Sequence, residues 1–139
     1  MGILSDFFIA ETGTVPEYDG GHDFPANSRV QIGSITPLEA AGIMEVVTGR
    51  DTFEVMGEFT LLTPQDAEEW TMSVPDELVK SLARLDDSQM PEIADRCSKL
   101  TAEELGWSPN DFLGVISELR QLARLAVDKN YSMFLWNSL

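Results

Sequence analysis

The segment Ser108–Lys129 carries the clearest helix signal in the sequence, and it constrains what the rest of the chain can build. Ser108 is a strong N-cap residue, because its hydroxyl can accept a hydrogen bond from an N–H of the first helical turn. Pro109 occupies the first helical position, where its missing N–H costs nothing. Apolar residues then recur at the spacing of one helical face, which predicts a long helix with these side chains inside: Phe112, Val115, Ile116, Leu119, Leu122, Ala123 and Ala126.

Shorter elements precede and follow this helix. Thr36 and Pro37 mark a second helix start, and Gly49 is placed to end that helix. Pro75 marks another start, and apolar spacing predicts a further helix over residues 90–99. Strands are predicted where polar and apolar residues alternate, or where an apolar run is too short for a helix: residues 3–9, 29–33, 53–61, 69–73 and 131–136.

The predicted strand 53–61 has the cleanest alternation of all. Glu54, Glu58 and Thr60 fall on its polar side, and Gly57 suggests a bulge. Its apolar side would comprise Phe53, Val55, Phe59 and Leu61.

These elements predict an α+β fold. A chain of 139 residues, of which 43% are hydrophobic, is large enough to bury a core and has the size of one domain. We therefore expect a single compact domain over residues 1–139. It should be mostly helical, with a small sheet of short strands packed on the long C-terminal helix.

Charge is the second strong feature of the sequence. The formal net charge is −15, and residues 1–79 hold 15 acidic and 2 basic side chains against 9 and 7 in residues 80–139. An acidic surface of this kind repels nucleic acid and anionic membranes. It either attracts a basic protein or serves only to keep the protein in solution. No apolar run approaches the roughly 20 residues that cross a bilayer. The single cysteine excludes an internal disulfide framework, so a reducing cytoplasm is the expected compartment.

Residues 12–29 form a long irregular stretch rich in glycine and proline. Long loops of this kind are often functional, since binding residues are commonly found on loops. We therefore predict a binding surface here. Its candidate residues are Tyr18, His22, Asp23 and Phe24.

A second candidate surface lies on and beside the predicted strand 53–61. If the acidic half is an interface, its charge should concentrate on the polar side of that strand and on the turn that follows. The residues concerned are Glu54, Glu58, Glu68 and Glu69.

The sequence offers little for catalysis. His22 is the single histidine, and Cys97 is the single thiol, on the expected inner face of its helix. No phosphate-binding loop, nucleophile elbow or zinc-protease motif is present, so we assign no catalytic residue, metal or cofactor.

Two classes of function are compatible with these observations. The favoured one is a non-catalytic cytosolic interaction or inhibitor protein that uses its acidic N-terminal half, because the charge is asymmetric and no catalytic constellation appears. The alternative is a small ligand-binding domain or enzyme with a pocket under the 12–29 loop. A flat acidic face would favour the first class, and a pocket with converging polar groups would favour the second.

Overall fold

A computed structural model describes residues 3–13, 26–64 and 66–138. The two chain ends of the described sequence lie side by side in the middle of a five-stranded antiparallel sheet. The strands are β1 (Leu4–Glu11), β2 (Arg29–Gln31), β3 (Thr60–Leu61), β4 (Glu69–Ser73) and β5 (Tyr131–Ser138). Their order across the sheet is β2-β1-β5-β4-β3.

Five α-helices accompany this sheet in the described ranges. They are α1 (Pro37–Thr48), α2 (Thr52–Met56), α3 (Asp76–Ala83), α4 (Met90–Leu100) and α5 (Pro109–Lys129), with a short 3-10 turn at Ala26–Ser28 before β2. None of them combines the length and the apolar character required to cross a bilayer. The predicted α+β class is confirmed: one fold, with the sheet packed against the C-terminal helix.

Helix α5 begins and ends as the sequence predicts. The Ser108 hydroxyl accepts from the Asp111 N–H at 3.1 Å, and the Asp111 carboxylate accepts from the Ser108 N–H at 3.1 Å. Asn130 adopts the left-handed conformation that ends the helix. The predicted inner face is buried except at Val115, which is partly exposed.

The sheet buries both of its faces around β1 and β5. Side chains alternate along a strand, so Phe7 and Met133 join the main core beside α5. Phe8, Phe134 and Trp136 form a smaller cluster on the other face, where the Phe8 and Phe134 rings stack at 5.2 Å.

The strand predicted over residues 53–61 is wrong. The chain forms helix α2 there, and only Thr60 and Leu61 pair in the sheet. The cause is Asp51, whose carboxylate accepts from the N–H groups of Phe53 and Glu54 and caps the helix.

Candidate functional site

The four loop candidates Tyr18, His22, Asp23 and Phe24 lie outside the described residues, so their placement stays a prediction. The structure describes the residues on both sides of this predicted loop. At its start, the Thr12 hydroxyl donates to the Asn130 carbonyl at 2.8 Å, just after α5. At its end, Arg29 pairs with Phe8 in the sheet.

Arg50 organises the acidic surface beside α2. Its Nη1 donates to Glu58 Oε1 at 3.0 Å and to Glu77 Oε1 at 2.6 Å, and its Nη2 donates to Glu54 Oε1 at 3.0 Å and also to Glu58 Oε2. The hydrogen bonds from Arg50 hold the pKa of Glu58 below its usual range. The hydrogen bonds to Glu58, Glu77 and Glu54 in turn raise the pKa of Arg50. We call these four residues the Arg50 cluster.

The structure does not gather the four predicted acids into one patch. Glu54 and Glu58 share Arg50, whereas Glu69 begins β4 and Glu68 directly precedes it. The register pairs Thr60 with Ser73, and Glu69 lies four residues before Ser73, at the opposite end of β4. At about 3.3 Å per residue, Glu69 is roughly 13 Å from Ser73, which is the end of β4 nearer to Glu58.

An apolar groove opens on the surface between α1, α2 and the turn that follows α4. Its volume is about 220 Å³. Phe53, on its rim, is 74% exposed, although the predicted strand 53–61 placed it on the apolar side, and Leu100 is 42% exposed. We call this the α1–α2 groove. Its apolar lining includes Leu38, Phe53 and Leu100, and its acidic lining includes Glu45, Asp51 and Glu104.

Backbone hydrogen bonds fix two of the carboxylates in this groove. Glu45 Oε1 accepts from the Thr52 N–H at 2.8 Å and from its hydroxyl at 2.9 Å. Asp51 Oδ2 accepts from the N–H groups of Phe53 and Glu54 at 3.1 and 3.2 Å. These bonds fix the orientation of both carboxylates.

The groove carries uncompensated negative charge. Within the described ranges, no lysine or arginine lines it, and the carboxylates of Glu45, Asp51 and Glu104 form no ion pair. Acidic and apolar side chains line the groove side by side, so it could bind a molecule that carries a cationic group next to an apolar group.

The groove is not predictable from any one stretch of the sequence. The chain contributes Leu38 and Glu45 from α1 and Glu104 from a turn more than 50 residues further on, so no single window contains the site. One local signal was available, since Asp51 followed by Thr52 is a plausible helix start.

A larger cavity of about 770 Å³ lies between β2 and α5. Arg29 and Gln31 line it from the strand, and Gln121 and Arg124 line it from the helix. It therefore lies at the end of the predicted 12–29 loop.

Among the described residues, the Cys97 side chain is buried, and the Arg120 and Arg124 side chains bind neighbouring elements of the fold. Burial raises the pKa of the Cys97 thiol to about 12, so the thiol stays protonated at neutral pH. Arg124 donates to the carbonyls of Ala83 and Leu85 at 3.0 and 2.8 Å, and Arg120 pairs with Asp87 at 2.8 Å. Both arginines thus bind the end of α3 and the turn after it. In the part of the chain that the structure describes, no group of three or more His, Cys, Asp or Glu residues is arranged to hold a metal ion.

No protein family, curated protein or solved structure matches this chain.

Proposed function

We propose that this chain is a non-catalytic interaction or inhibitor protein of the cytoplasm, and that its acidic N-terminal half binds a basic protein. The observation that carries the proposal is the environment of Arg50. Arg50 is one of only two basic residues in residues 1–79, and it forms salt bridges with Glu54, Glu58 and Glu77. Residues 1–79 carry a net charge of −13, since they hold 15 acidic and 2 basic side chains.

Such a surface would mainly affect the rate at which the two proteins associate. Charge complementarity accelerates encounter and selects partners of opposite sign, and added salt weakens it because the Debye length falls to about 8 Å at physiological ionic strength. Glu68 and Glu69 are exposed at the start of β4 and extend the acidic surface beyond the Arg50 cluster.

A charge-matched pair of variants tests this proposal. In the first variant Glu54, Glu58, Glu68 and Glu69 become Gln, which keeps an oxygen for Arg50 and reduces the net negative charge from −15 to −11. In the control variant, exposed acids of the C-terminal half become amides with the same change in charge: Asp86, Glu92, Glu118 and Asp128.

Both variants and the unmodified protein would be used to capture partners from an extract of cells that express the chain. We expect a basic protein that is released by salt, is retained by the control variant and is lost with the first variant. Its association rate with the first variant should be about an order of magnitude lower at low salt. Equal capture by both variants would contradict the proposal, and so would the absence of any partner released by salt.

The cavity between β2 and α5 supports a second candidate, a small-ligand site at the end of the 12–29 loop. Its volume of about 770 Å³ lies within the roughly 300–1,000 Å³ of typical ligand pockets. Gln121→Trp would obstruct this cavity from the exposed side of α5. A small polar compound that raises the melting temperature of the unmodified protein, but not of this variant, would support this candidate. A compound screen without any such shift would count against it.

A further inference from the structure

We propose that the α1–α2 groove receives one apolar side chain of the basic partner, while Glu45, Asp51 and Glu104 pair with lysine or arginine residues beside it. This inference rests on the proposed function and identifies the surface that anchors the partner, which the acidic half forms together with Leu100 and Glu104 of the C-terminal half. The occupant is a short basic segment with a single apolar residue, such as a leucine flanked by lysine and arginine.

The size of the groove favours a side chain over a small-molecule ligand. Its volume of about 220 Å³ is below the roughly 300 Å³ at which ligand pockets begin. Protein interfaces commonly contain such small pockets, in which one anchoring side chain contributes much of the binding energy.

The exposed apolar residues that line the groove indicate a surface that a binding partner buries. Leu4, Phe53, Leu100 and Val127 are the exposed large hydrophobic residues of the described ranges, and two of them, Phe53 and Leu100, meet in this groove. Single exposed apolar residues are ordinary, whereas apolar residues gathered in a concave site and rimmed by polar groups mark interaction surfaces.

The carboxylates at the rim of the groove favour a bound segment with positive charge. Glu45 Oε1 and Asp51 Oδ2 are held by backbone N–H groups, and each carboxylate has a second oxygen with no hydrogen bond within the described residues. Carboxylates fixed in this way lose little freedom when they bind a cation, which makes binding more favourable. An acidic or neutral segment would leave the three carboxylates without compensation.

Gly42 keeps the floor of the groove open. A Cβ atom at this position would lie 3.5 Å from Thr101 Cγ2 and 3.7 Å from Leu100 Cδ2, which are ordinary contact distances. Alanine therefore fits without strain, and it also favours the helix. Gly42→Ala should narrow the groove while the protein stays at least as stable.

The test uses a labelled synthetic peptide, Gly-Lys-Arg-Leu-Arg-Lys-Gly, and a second peptide in which serine replaces leucine. Binding is followed by amide chemical shifts in NMR titrations, which detect millimolar affinities and locate the contact. The proteins are the unmodified chain, Phe53→Ala, Gly42→Ala and Val127→Ala. Val127 is the matched control, because it is 50% exposed and lies near the far end of α5.

We expect the leucine peptide to shift the amides around Phe53 and Leu100. Serine in place of leucine should weaken binding about tenfold or more, because burial of one leucine side chain is lost. Phe53→Ala should remove most of that preference for leucine, Gly42→Ala should reduce it without lowering the melting temperature, and Val127→Ala should leave it unchanged.

The outcomes separate this inference from the proposed function. If both peptides bind equally in a salt-sensitive manner, the acidic surface binds basic chains and the groove inference is overturned. Leucine-dependent binding that persists in Phe53→Ala also overturns it. If neither peptide binds at low salt, the inference and the proposed function both fail.

Discussion

The guanidinium group of Arg50 contacts three carboxylates, and this has a consequence for the pH dependence of stability. The pKa of Glu58 is lowered in the folded state by its hydrogen bonds to Arg50. A lowered pKa stabilises the folded state above the ordinary glutamate pKa of about 4.3, and this contribution is lost as the pH falls through the folded-state value. Arg50→Gln should therefore destabilise the protein at pH 7, and the difference should shrink towards acidic pH.

Urea unfolding of both proteins between pH 7 and pH 3 measures this difference. Lys80→Gln is a suitable control, because it removes the same charge from an exposed position with no ion pair among the described residues. A difference between Arg50→Gln and the unmodified protein that is independent of pH would contradict the role given to Glu58.

Substitution of Leu119 tests which face of α5 is buried. Leu119 is fully enclosed in the main core, so Leu119→Ala removes buried methyl groups and leaves a cavity. The free energy of unfolding should fall by about 2–5 kcal/mol. Val127→Ala, on the exposed side of the same helix, should change it by less than about 0.5 kcal/mol. Similar decreases in the free energy of unfolding of both variants would mean that a different face of α5 is buried.

Among single elements, α2 shows where the sequence pattern was insufficient. Phe53, Val55 and Phe59 alternate with polar residues, yet Val55 is buried inside a helix and Phe53 faces the α1–α2 groove. Five residues are too few to distinguish a strand period from one helical turn, so the cap at Asp51 decided the outcome.

Helix α5 was predictable because its signals are local and agree with one another. The cap at Ser108, the apolar stripe and the stop at Asn130 all favour the same helix, and β5 follows directly as an apolar run. The order of strands was not predictable in this way, since pairing between β1 and β5 depends on residues far apart in the sequence.

Two glycines should respond in opposite directions to substitution by alanine. Gly114 lies within α5, and a Cβ atom there meets nothing within 4 Å, so Gly114→Ala should stabilise the protein by up to about 1 kcal/mol. Gly49 ends α1 at a φ of +81°, so Gly49→Ala should destabilise it by about 1–2 kcal/mol. Thermal unfolding of both variants provides the measurement. A loss of stability in Gly114→Ala would indicate that its exposed face is covered.

For the molecule as a whole, the excess of acidic groups should make stability depend on salt. A net charge of −15 on 139 residues produces self-repulsion in the compact state. The Debye length falls from about 30 Å at 0.01 M to about 10 Å at 0.1 M salt, which screens this repulsion. The melting temperature should therefore rise over this range, and it should rise less in the variant with amides at Glu54, Glu58, Glu68 and Glu69. A melting temperature that falls with added sodium chloride would show that attractive ion pairs dominate.

The central strand pair has a consequence for how the chain acquires its structure. Leu4 pairs with Ser138 and Glu11 with Tyr131, so the middle of the sheet joins segments separated by almost the whole sequence. Loops of this length must close before the pair can form, which slows folding relative to helical proteins of similar size. During synthesis, β1 is made first and cannot pair with β5 until residues 131–138 have been translated. In refolding experiments with pulsed hydrogen exchange, the amides of β1 and β5 should gain protection together, later than those of α5. Early protection of β1 alone would show that another segment occupies its edge first.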